Sequence, residues 1–329
     1  MINKTDKAFF VFPGQGAQYP GMGIDFLEAS QDRVKKLFSL ASQACGKDMA
    51  ALLNFDATAL KRTDLSQPAI TLANLAAAAY LAEKGIQPAG CAGFSLGEYA
   101  ALATAGVITQ EDCFFLVAKR GKAMQAAIDA IGSGVEAPGM AAVMGLDPEK
   151  VETFINEWKL AGSPALKEIY AANINSSRQT VVSGTARALA EAEGRFTAAG
   201  AKRFIRLQVA GPFHSPFMAE AAQEFRSSLE RVVFRDPQIP LYSNVTGKCV
   251  TSGEEAKKLA LLQIISPVRW VDEETAIDQA GGIDCLLEVG PGKVLQGLWK
   301  DSGSSLPCYA AGTCADIDNL QNKDEPDVH

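Results

Sequence analysis

The chain has 329 residues, of which 47% are hydrophobic and 21% are charged, and its formal net charge is −7. This size and composition are typical of a globular protein with one large core or two unequal domains. The acidic balance excludes non-specific nucleic-acid binding, because that binding needs a surplus of basic side chains to neutralise phosphates. The seven cysteines form no C-x-x-C pair. We therefore expect reduced thiols in a cytoplasmic protein, with neither a disulfide framework nor a metal site.

No segment has the length of a membrane anchor. The first apolar run, at 8–11, is too short for a signal-peptide core or a membrane span. The longest Ala/Leu stretch, at 70–82, contains Asn74 and is typical of a buried helix. We therefore expect a soluble protein that does not bind membranes.

The first third of the chain alternates strand and helix patterns. The apolar run at 8–12 ends in a glycine-rich turn, a pattern that predicts a strand in the middle of a sheet covered on both faces. A capping box at 109–112 opens a long helix. The predicted elements are, in order, a strand at 8–12, helices at 23–46 and 67–84, a strand at 90–94, a short helix from 98 and a long helix to about 131.

The glycine-rich loop at 132–139 marks a domain boundary, because the order of predicted strands and helices changes after it. The next elements are a strand at 140–145, a helix at 148–159, strands at 169–174 and 180–183, a helix at 186–199 and a strand at 202–208. This βαββαβ order is that of a ferredoxin-like unit. After it the α/β pattern returns, with helices at 216–233 and 254–265 and strands at 241–243 and 285–289.

The predicted fold class is therefore α/β. A large domain of the α/β-hydrolase type with a parallel sheet is formed by residues 1–136 and 208–318. A small ferredoxin-like domain is inserted at 137–207, and a disordered tail follows at 319–329.

The segment Gly93-Phe94-Ser95-Leu96-Gly97 has the G-x-S-x-G pattern of a nucleophile elbow. It lies between a predicted strand and a predicted helix, which is the setting that the pattern requires. The glycines permit a tight turn, and the serine lies at the positive end of the helix, where negative charge is stabilised. Three fixed residues also occur by chance in glycine-rich chains, so the pattern predicts an acyl-attacking serine only together with other residues.

A nucleophilic serine needs a base, because its hydroxyl is barely ionised at neutral pH. The chain has two histidines, and His329 is the last residue. His214 follows a predicted strand and precedes a helix, where active-site residues of α/β sheets lie. His214 is therefore the candidate base, and a capping or packing role is the alternative.

Two further positions have both a functional and a structural interpretation. Gln15 lies in the glycine-rich turn after the first strand, where backbone N–H groups could complete an oxyanion hole or the turn could simply reverse the chain. Arg120 lies on the long helix between two lysines, where a basic side chain is usually solvated. Its planar guanidinium would nevertheless suit a carboxylate, which it binds with two parallel hydrogen bonds.

These motifs, in this order, resemble the malonyl-CoA:acyl carrier protein transacylases of bacterial type II fatty acid synthesis and the related acyltransferase domains of polyketide synthases. The resemblance covers nearly the whole chain. The segments that carry it are 12–18 (FPGQGAQ), 93–99 (GFSLGEY), 120–121 (RG), 212–214 (PFH), 263–270 (QIISPVRW) and 288–292 (EVGPG).

The resemblance implies a role for each matching residue. Ser95 would carry the acyl group and His214 would move the proton. The backbone N–H groups of Gln15 and Leu96 would form the oxyanion hole. The remaining substrate-binding candidates are Arg120 as the clamp for the malonyl carboxylate, Gln263 as the residue whose backbone carbonyl orients the histidine, and Phe213, Asn173 and Asn175 beside the substrate.

The chain departs from the family pattern in one place, because Phe94 precedes the serine where the family usually has histidine. This change predicts a more apolar pocket and a different pH profile. Phe213, before the histidine, resembles the malonyl-selective form of its motif.

The leading hypothesis is malonyl transfer from malonyl-CoA through a malonyl-serine ester to the thiol of holo acyl carrier protein. The alternatives are a stand-alone polyketide synthase acyltransferase, a serine thioesterase or acyl hydrolase, and a non-catalytic module that binds carrier protein. The carrier protein and malonyl-CoA are the expected partners. We expect a monomer that uses neither a cofactor nor a metal.

Overall fold

A computed structural model of the chain describes residues 5–30, 32–132, 137–208 and 211–321. It shows a mixed α/β fold with a four-stranded parallel sheet, a four-stranded antiparallel sheet and a two-stranded ribbon. The strands of the described residues are β1 (Ala8–Phe12), β2 (Pro88–Gly93), β3 (Gly139–Met144), β4 (Ile169–Ser176), β5 (Gln179–Gly184), β6 (Arg203–Arg206), β7 (Tyr242–Ser243), β8 (Lys248–Cys249), β9 (Cys285–Glu288) and β10 (Cys308–Ala310).

The α-helices of the described residues surround these sheets. They are α1 (Ile24–Ala29), α2 (Asp32–Cys45), α3 (Met49–Phe55), α4 (Thr63–Glu83), α5 (Gly97–Thr104), α6 (Gln110–Ile131), α7 (Pro148–Leu160), α8 (Ala186–Ala198), α9 (Ala219–Glu230), α10 (Gly253–Leu262), α11 (Trp270–Ala280), α12 (Val294–Ser302) and α13 (Cys314–Gln321). Within the described residues, none of them has both the length and the apolarity that crossing a bilayer requires.

The parallel sheet has the strand order β10-β9-β1-β2. Its strand β1 is buried along its whole length. Phe10 and Phe12 belong to the main hydrophobic core, whereas Phe9 and Val11 pack in a second core with Trp270. Because both faces of β1 are covered, an uninterrupted apolar run suits this strand better than an alternating one. The predicted central strand is confirmed.

The antiparallel sheet has the strand order β4-β5-β3-β6, and helices α7 and α8 lie between its strands in the sequence. This is the connectivity of a ferredoxin-like unit, as predicted. The unit has a hydrophobic core of its own, in which Val143, Ile155, Leu166, Val182 and Phe196 are buried. The predicted domain limits at 136 and 208 lie beside residues 133–136 and 209–210, which are outside the described residues, so these limits remain predictions.

One segment of the large domain pairs with an edge strand of the small sheet. The backbone N–H of Ile174 on β4 donates to the carbonyl of Val268 at 2.8 Å, and the N–H of Val268 donates to the carbonyl of Ala172 at 2.9 Å. Arg269, the next residue, lies 3.5 Å from the Glu152 carboxylate on α7. The segment before α11 therefore forms one wall of the cleft between the two sheets.

Several predicted boundaries differ from the structure; α4, for example, begins at Thr63 rather than at residue 67. The helix expected at 23–46 is divided into α1 and α2, because Ser30 has extended backbone with φ −93° and ψ 158°. A disordered tail is expected from residue 319, but residues 319–321 form the last turn of α13. Ile317 on this helix is fully buried, and Tyr80 on α4 donates a hydrogen bond to Asp318. Residues 322–329 lie outside the described residues.

Candidate active site

Ser95 lies on the sharp turn between β2 and α5. Two glycines make this turn possible, because a Cβ atom on Gly93 would lie 2.1 Å from the carbonyl carbon of Gly97. A Cβ atom on Gly97 would lie 2.0 Å from the carbonyl oxygen of Phe12. The backbone N–H of Phe94 donates to that same oxygen at 2.9 Å. The elbow is therefore pressed against the end of β1, with the serine at its tip.

Alanine at position 97 should destabilise the protein strongly. A Cβ atom there meets rigid backbone, so we expect Gly97→Ala to lower the free energy of unfolding by roughly 3 kcal/mol or more. Gly194→Ala is the matched control, since Gly194 lies in α8 with no atom within 4 Å of the added Cβ. The control should raise the free energy of unfolding by up to about 1 kcal/mol. Urea denaturation measures both changes, and equal effects of the two substitutions would contradict this account of the elbow.

The structure brings His214 directly to the candidate nucleophile. Its Nε2 lies 2.7 Å from Ser95 Oγ, and its Nδ1 lies 2.9 Å from the backbone carbonyl oxygen of Gln263 and 3.2 Å from that of Ser266. A carbonyl only accepts hydrogen bonds, so this geometry favours a proton on Nδ1 and a free lone pair on Nε2 facing the serine hydroxyl. Two backbone carbonyls thus orient the ring where a triad would use an acid.

Both residues of this pair have strained backbone. Among the described residues, Ser95 with φ 50° and His214 with φ 53° are the two non-glycine residues with positive φ. Each such conformation costs of order 1–3 kcal/mol and persists only where the surrounding structure enforces it. Two non-glycine side chains in this conformation that face each other at 2.7 Å are a strong structural argument for a functional pair.

Burial lowers the pKa of His214 to about 4, and the positive charge of Arg120 acts in the same direction. The two backbone carbonyls on Nδ1 oppose this shift only in part. A histidine accepts the serine proton only when it is neutral, and a lowered pKa keeps it neutral to a lower pH. The imidazole is therefore ready to act as a base at neutral pH.

The pH profile of the acylation step should show this shift. We expect kcat/KM to stay level as the pH falls from 7 towards 5 and to decrease only as the pH approaches 4, because protonation of His214 abolishes its function. Stopped-flow acylation, with circular dichroism at each pH to verify folding, measures the profile. An acid limb near the ordinary histidine pKa of about 6.5 would contradict a desolvated imidazole.

The two predicted oxyanion-hole residues lie on adjoining turns. A Cβ atom on Gly14 would lie 3.5 Å from the backbone nitrogen of Leu96, so the turn at 14–16 touches the elbow. The side chain of Gln15 is held by Thr63, whose hydroxyl donates to it at 3.0 Å, and it donates to the Ser66 hydroxyl at 3.3 Å. Among the described residues, the backbone N–H groups of Gln15 and Leu96 have no hydrogen-bond acceptor. Both remain free to bind an oxyanion.

Arg120 lies in the protein interior, although its position between two lysines on a helix is typical of a solvated side chain. It is 0% exposed. Its Nη1 donates to Gln67 Oε1 at 2.8 Å, its Nη2 donates to Gln263 Oε1 at 3.1 Å, and its guanidinium lies 5.5 Å from the ring centroid of Tyr99. Its Nε has no partner, and no salt bridge of the described residues includes it. A buried guanidinium whose hydrogen bonds go to neutral amide oxygens is suited to bind an anion.

The remaining predicted substrate residues make other contacts. Asn173 is buried on β4 at the bridge to Val268. Asn175 donates its side-chain amide to Gln179 across the β4–β5 hairpin at 3.1 Å. Phe213 is packed in the main core. The hydrogen bonds of the described residues connect none of these three side chains to Ser95, His214 or Arg120, so their contact with substrate remains a prediction.

Phe94, which replaces the usual histidine, packs against an aromatic residue. Its ring lies 5.5 Å from that of Trp270 in an edge-to-face arrangement. Such a pair stabilises the elbow through apolar contact rather than by hydrogen bonding. The more apolar pocket and the different pH profile expected from Phe94 remain predictions.

A cavity of about 260 Å³ opens beside His214, between the two sheets. The small domain contributes Lys159 and Tyr170 to its wall, and the large domain contributes Ile265 and Pro267. The ammonium of Lys159 lies 3.9 Å from the ring centroid of Tyr170. A substrate that approaches the histidine through this cavity would meet both domains.

Sequence reasoning missed a buried polar group beneath the elbow. The side-chain oxygen of Asn244 accepts the backbone N–H of Ser95 at 2.7 Å, and its amide donates to the Gly93 carbonyl and to Glu273 Oε1, each at 2.7 Å. The backbone N–H of Asn244 donates to Glu98 Oε2 at 3.0 Å. Glu98 directly follows the elbow, but nothing in a single sequence marks it or Asn244 as buried.

A strained serine on an elbow, with a histidine 2.7 Å from its hydroxyl oxygen, is the arrangement of an enzyme that acts on acyl groups. A family model described as acyl transferase domain matches residues 9–323. The chain therefore belongs to the acyl transferase family, and it is an acyltransferase.

The comparisons with individual proteins agree. The malonyl CoA-acyl carrier protein transacylase of Bacillus subtilis strain 168 is 37% identical over 307 residues, which are 92% of this chain and 93% of that protein. An acyl carrier protein S-malonyltransferase structure from Vibrio cholerae is 36% identical, with a TM-score of 0.87 over 96% of this chain and 100% of the other. A malonyl-transacylase in complex with its holo type II polyketide acyl-carrier protein is 35% identical, with a TM-score of 0.85 over 95% and 98% of the two chains.

Proposed function

We propose that this acyltransferase moves a malonyl group from malonyl-CoA to the phosphopantetheine thiol of an acyl carrier protein, through a malonyl ester on Ser95. The observation that carries the proposal is the buried Arg120 guanidinium. Gln263 accepts a hydrogen bond from that guanidinium with its side chain and one from His214 with its backbone carbonyl. One residue thus connects a site for a carboxylate with the base that activates the nucleophile.

In the first half-reaction His214 removes the proton of Ser95 Oγ, and the oxygen attacks the thioester carbonyl. The backbone N–H groups of Gln15 and Leu96 bind the resulting oxyanion. When the tetrahedral intermediate collapses, the carbon–sulfur bond breaks and the departing thiolate takes the proton from His214. Arg120 pairs with the free malonyl carboxylate during these steps.

In the second half-reaction the carrier thiol replaces the CoA thiol. It gives its proton to His214 and attacks the ester carbonyl, and the same two N–H groups bind the oxyanion. The bond between the carbon and Ser95 Oγ then breaks, and the serine recovers its proton from His214. Protons and electrons balance within these groups, so we propose that the reaction needs no cofactor and no metal.

A serine thioesterase would use the same pair but would transfer the acyl group to water. The carboxylate clamp favours the transferase, since hydrolysis of a thioester does not require one. The relative from Bacillus subtilis is named malonyl CoA-acyl carrier protein transacylase, which supports malonyl as the acyl group. We propose a carrier of fatty acid synthesis, with a polyketide carrier as the second candidate because one related structure contains such a carrier. The monomeric state and the cytoplasmic location remain predictions.

A transfer assay tests this proposal. The protein is incubated with radiolabelled malonyl-CoA and holo carrier proteins from fatty acid or polyketide synthesis, and label on the carrier and in free malonate is counted. We expect label on the fatty acid carrier at a rate well above malonate release. Steady release of malonate without labelled carrier would overturn the transferase assignment in favour of the hydrolase. Preferential labelling of the polyketide carrier would overturn the choice of pathway alone.

A further inference from the structure

A buried carboxyl group lies beside the proposed catalytic residues, and neither half-reaction as described above uses it. Glu98, on the first turn of α5, is 3% exposed. Its Oε2 accepts two hydrogen bonds, from the backbone N–H of Asn244 at 3.0 Å and from the Gln263 side-chain amide at 2.9 Å. Its Oε1 lies 3.4 Å from the Ser243 hydroxyl. Among the described residues, no salt bridge includes Glu98.

Gln263 occupies a position in which the orientation of its amide matters. Its Oε1 accepts a hydrogen bond from Arg120, and its Nε2 donates to the Ser95 carbonyl at 2.9 Å as well as to Glu98. A rotation of the amide by 180° would turn its N–H groups towards the guanidinium, which only donates. A third and longer contact joins Nε2 to the side-chain oxygen of Asn244 at 3.4 Å. The acceptors on the Nε2 side therefore determine that an oxygen faces Arg120.

Glu98 is the acceptor that a substitution can change without disturbing the elbow, because the Ser95 carbonyl belongs to the elbow backbone and the Asn244 oxygen also accepts the backbone N–H of Ser95. Asn244 fixes Glu98 in turn, since its backbone N–H shares the same carboxylate oxygen. Burial raises the pKa of Glu98 to about 7, against the hydrogen bonds that it accepts and the charge of Arg120. Burial and the charge of Glu98 raise the pKa of the neighbouring Glu273 well above its usual range. A carboxyl group that is hydrogen-bonded in this way serves as an acceptor whatever its charge.

We propose that Glu98 is a positioning residue for acyl selectivity, which holds the Gln263 amide so that its oxygen orients Arg120 towards the carboxylate of the acyl group. The inference rests on the proposed function, because it needs a malonyl carboxylate on Arg120. An acetyl group has no carboxylate and does not use Arg120. Loss of the Glu98 contact should therefore slow malonyl transfer more than acetyl transfer.

Two substitutions of Glu98 distinguish the effect of side-chain length from the effect of charge. Glu98→Gln keeps the length of the side chain and an oxygen acceptor but removes the charge. Glu98→Asp keeps the charge but withdraws the carboxylate by one methylene group from Gln263. Glu274→Gln and Glu274→Asp are the matched controls, since Glu274 is a second buried carboxyl group whose hydrogen-bond partner is Trp270.

The readout is the ratio of kcat/KM for malonyl-CoA to that for acetyl-CoA, with Tm measured for every variant. We expect Glu98→Gln to keep the wild-type ratio and Glu98→Asp to lower it about tenfold, the effect of losing one buried hydrogen bond. Both Glu274 variants should keep the ratio. A wild-type ratio in Glu98→Asp, or a loss in Glu98→Gln as large as that in Glu98→Asp, would overturn the proposal. A wild-type enzyme that transfers no malonyl group would instead refute the proposed function.

Discussion

Ser95→Ala should lower malonyl transfer by roughly 10⁶-fold, and His214→Ala should lower it by a similar factor. The two side chains form one proton-transfer unit at 2.7 Å, and removal of either member of such a unit costs nearly as much as removal of both. The Ser95→Ala/His214→Ala double variant should therefore be no slower than either single variant. Initial rates of transfer from radiolabelled malonyl-CoA measure all three.

Ser215→Ala is the control for a lost hydroxyl. Ser215 is buried directly after His214, and its hydroxyl donates to the Pro212 carbonyl rather than to the catalytic pair. We expect this variant to lose less than tenfold in rate. Losses of Ser95→Ala and His214→Ala that multiply in the double variant would show that the two residues act independently, and this result would contradict the mechanism.

Arg120→Ala should lower kcat/KM for malonyl-CoA by roughly 10²–10³-fold and leave acetyl transfer nearly unchanged. The lost interaction is a buried, charge-assisted pair with the substrate carboxylate, and truncation of one member of such a pair costs about 2–5 kcal/mol. Lys119→Ala is the control, because Lys119 is the exposed neighbour on the same helix. Equal losses of malonyl and acetyl transfer in Arg120→Ala would show that Arg120 supports the structure and does not select the acyl group.

The Arg120→Ala substitution should also change the pKa of His214. The charge of Arg120 lowers the pKa of His214, so its removal should raise that pKa. In Arg120→Ala the acid limb of acetyl transfer should therefore lie at a higher pH than in the wild-type enzyme. An acid limb at an unchanged pH would mean that the charge of Arg120 does not contribute to the lowered pKa of His214.

The elements with strong local signals could be predicted from the sequence. The run Ala8–Phe12, the capping residue Thr109 and the alternation within 139–206 determine a central strand, the start of α6 and the ferredoxin-like unit. Helices α3, α11, α12 and α13 were not predicted, because short amphipathic segments owe their helical state to tertiary packing rather than to local propensity. The packing of the buried Ile317 also explains why α13 continues to residue 321, although the sequence predicts a disordered tail from residue 319.

The residues of the candidate site also fall into two groups, those that a local sequence pattern predicts and those that only the fold reveals. The elbow pattern predicts Ser95 as the nucleophile. His214 is predicted as the base because the other histidine, His329, is the last residue. The burial of Arg120 could not be predicted from its sequence neighbours, since it depends on Gln67 of α4 and on Gln263, the residue that caps the C-terminus of α10. Asn244 and Glu98 were missed for the same reason, because their hydrogen bonds join residues that are more than 140 positions apart.

The central claim is that Ser95 holds the acyl group between the two substrates. Rapid-quench reaction with labelled malonyl-CoA alone, followed by proteolysis and mass spectrometry, tests it most directly. We predict a malonyl adduct on the peptide that contains Ser95, and loss of this adduct with matching gain on the carrier when holo carrier protein is added. Labelled carrier formed without any adduct on Ser95 would contradict the account, because the malonyl group would then pass between the two thiols directly.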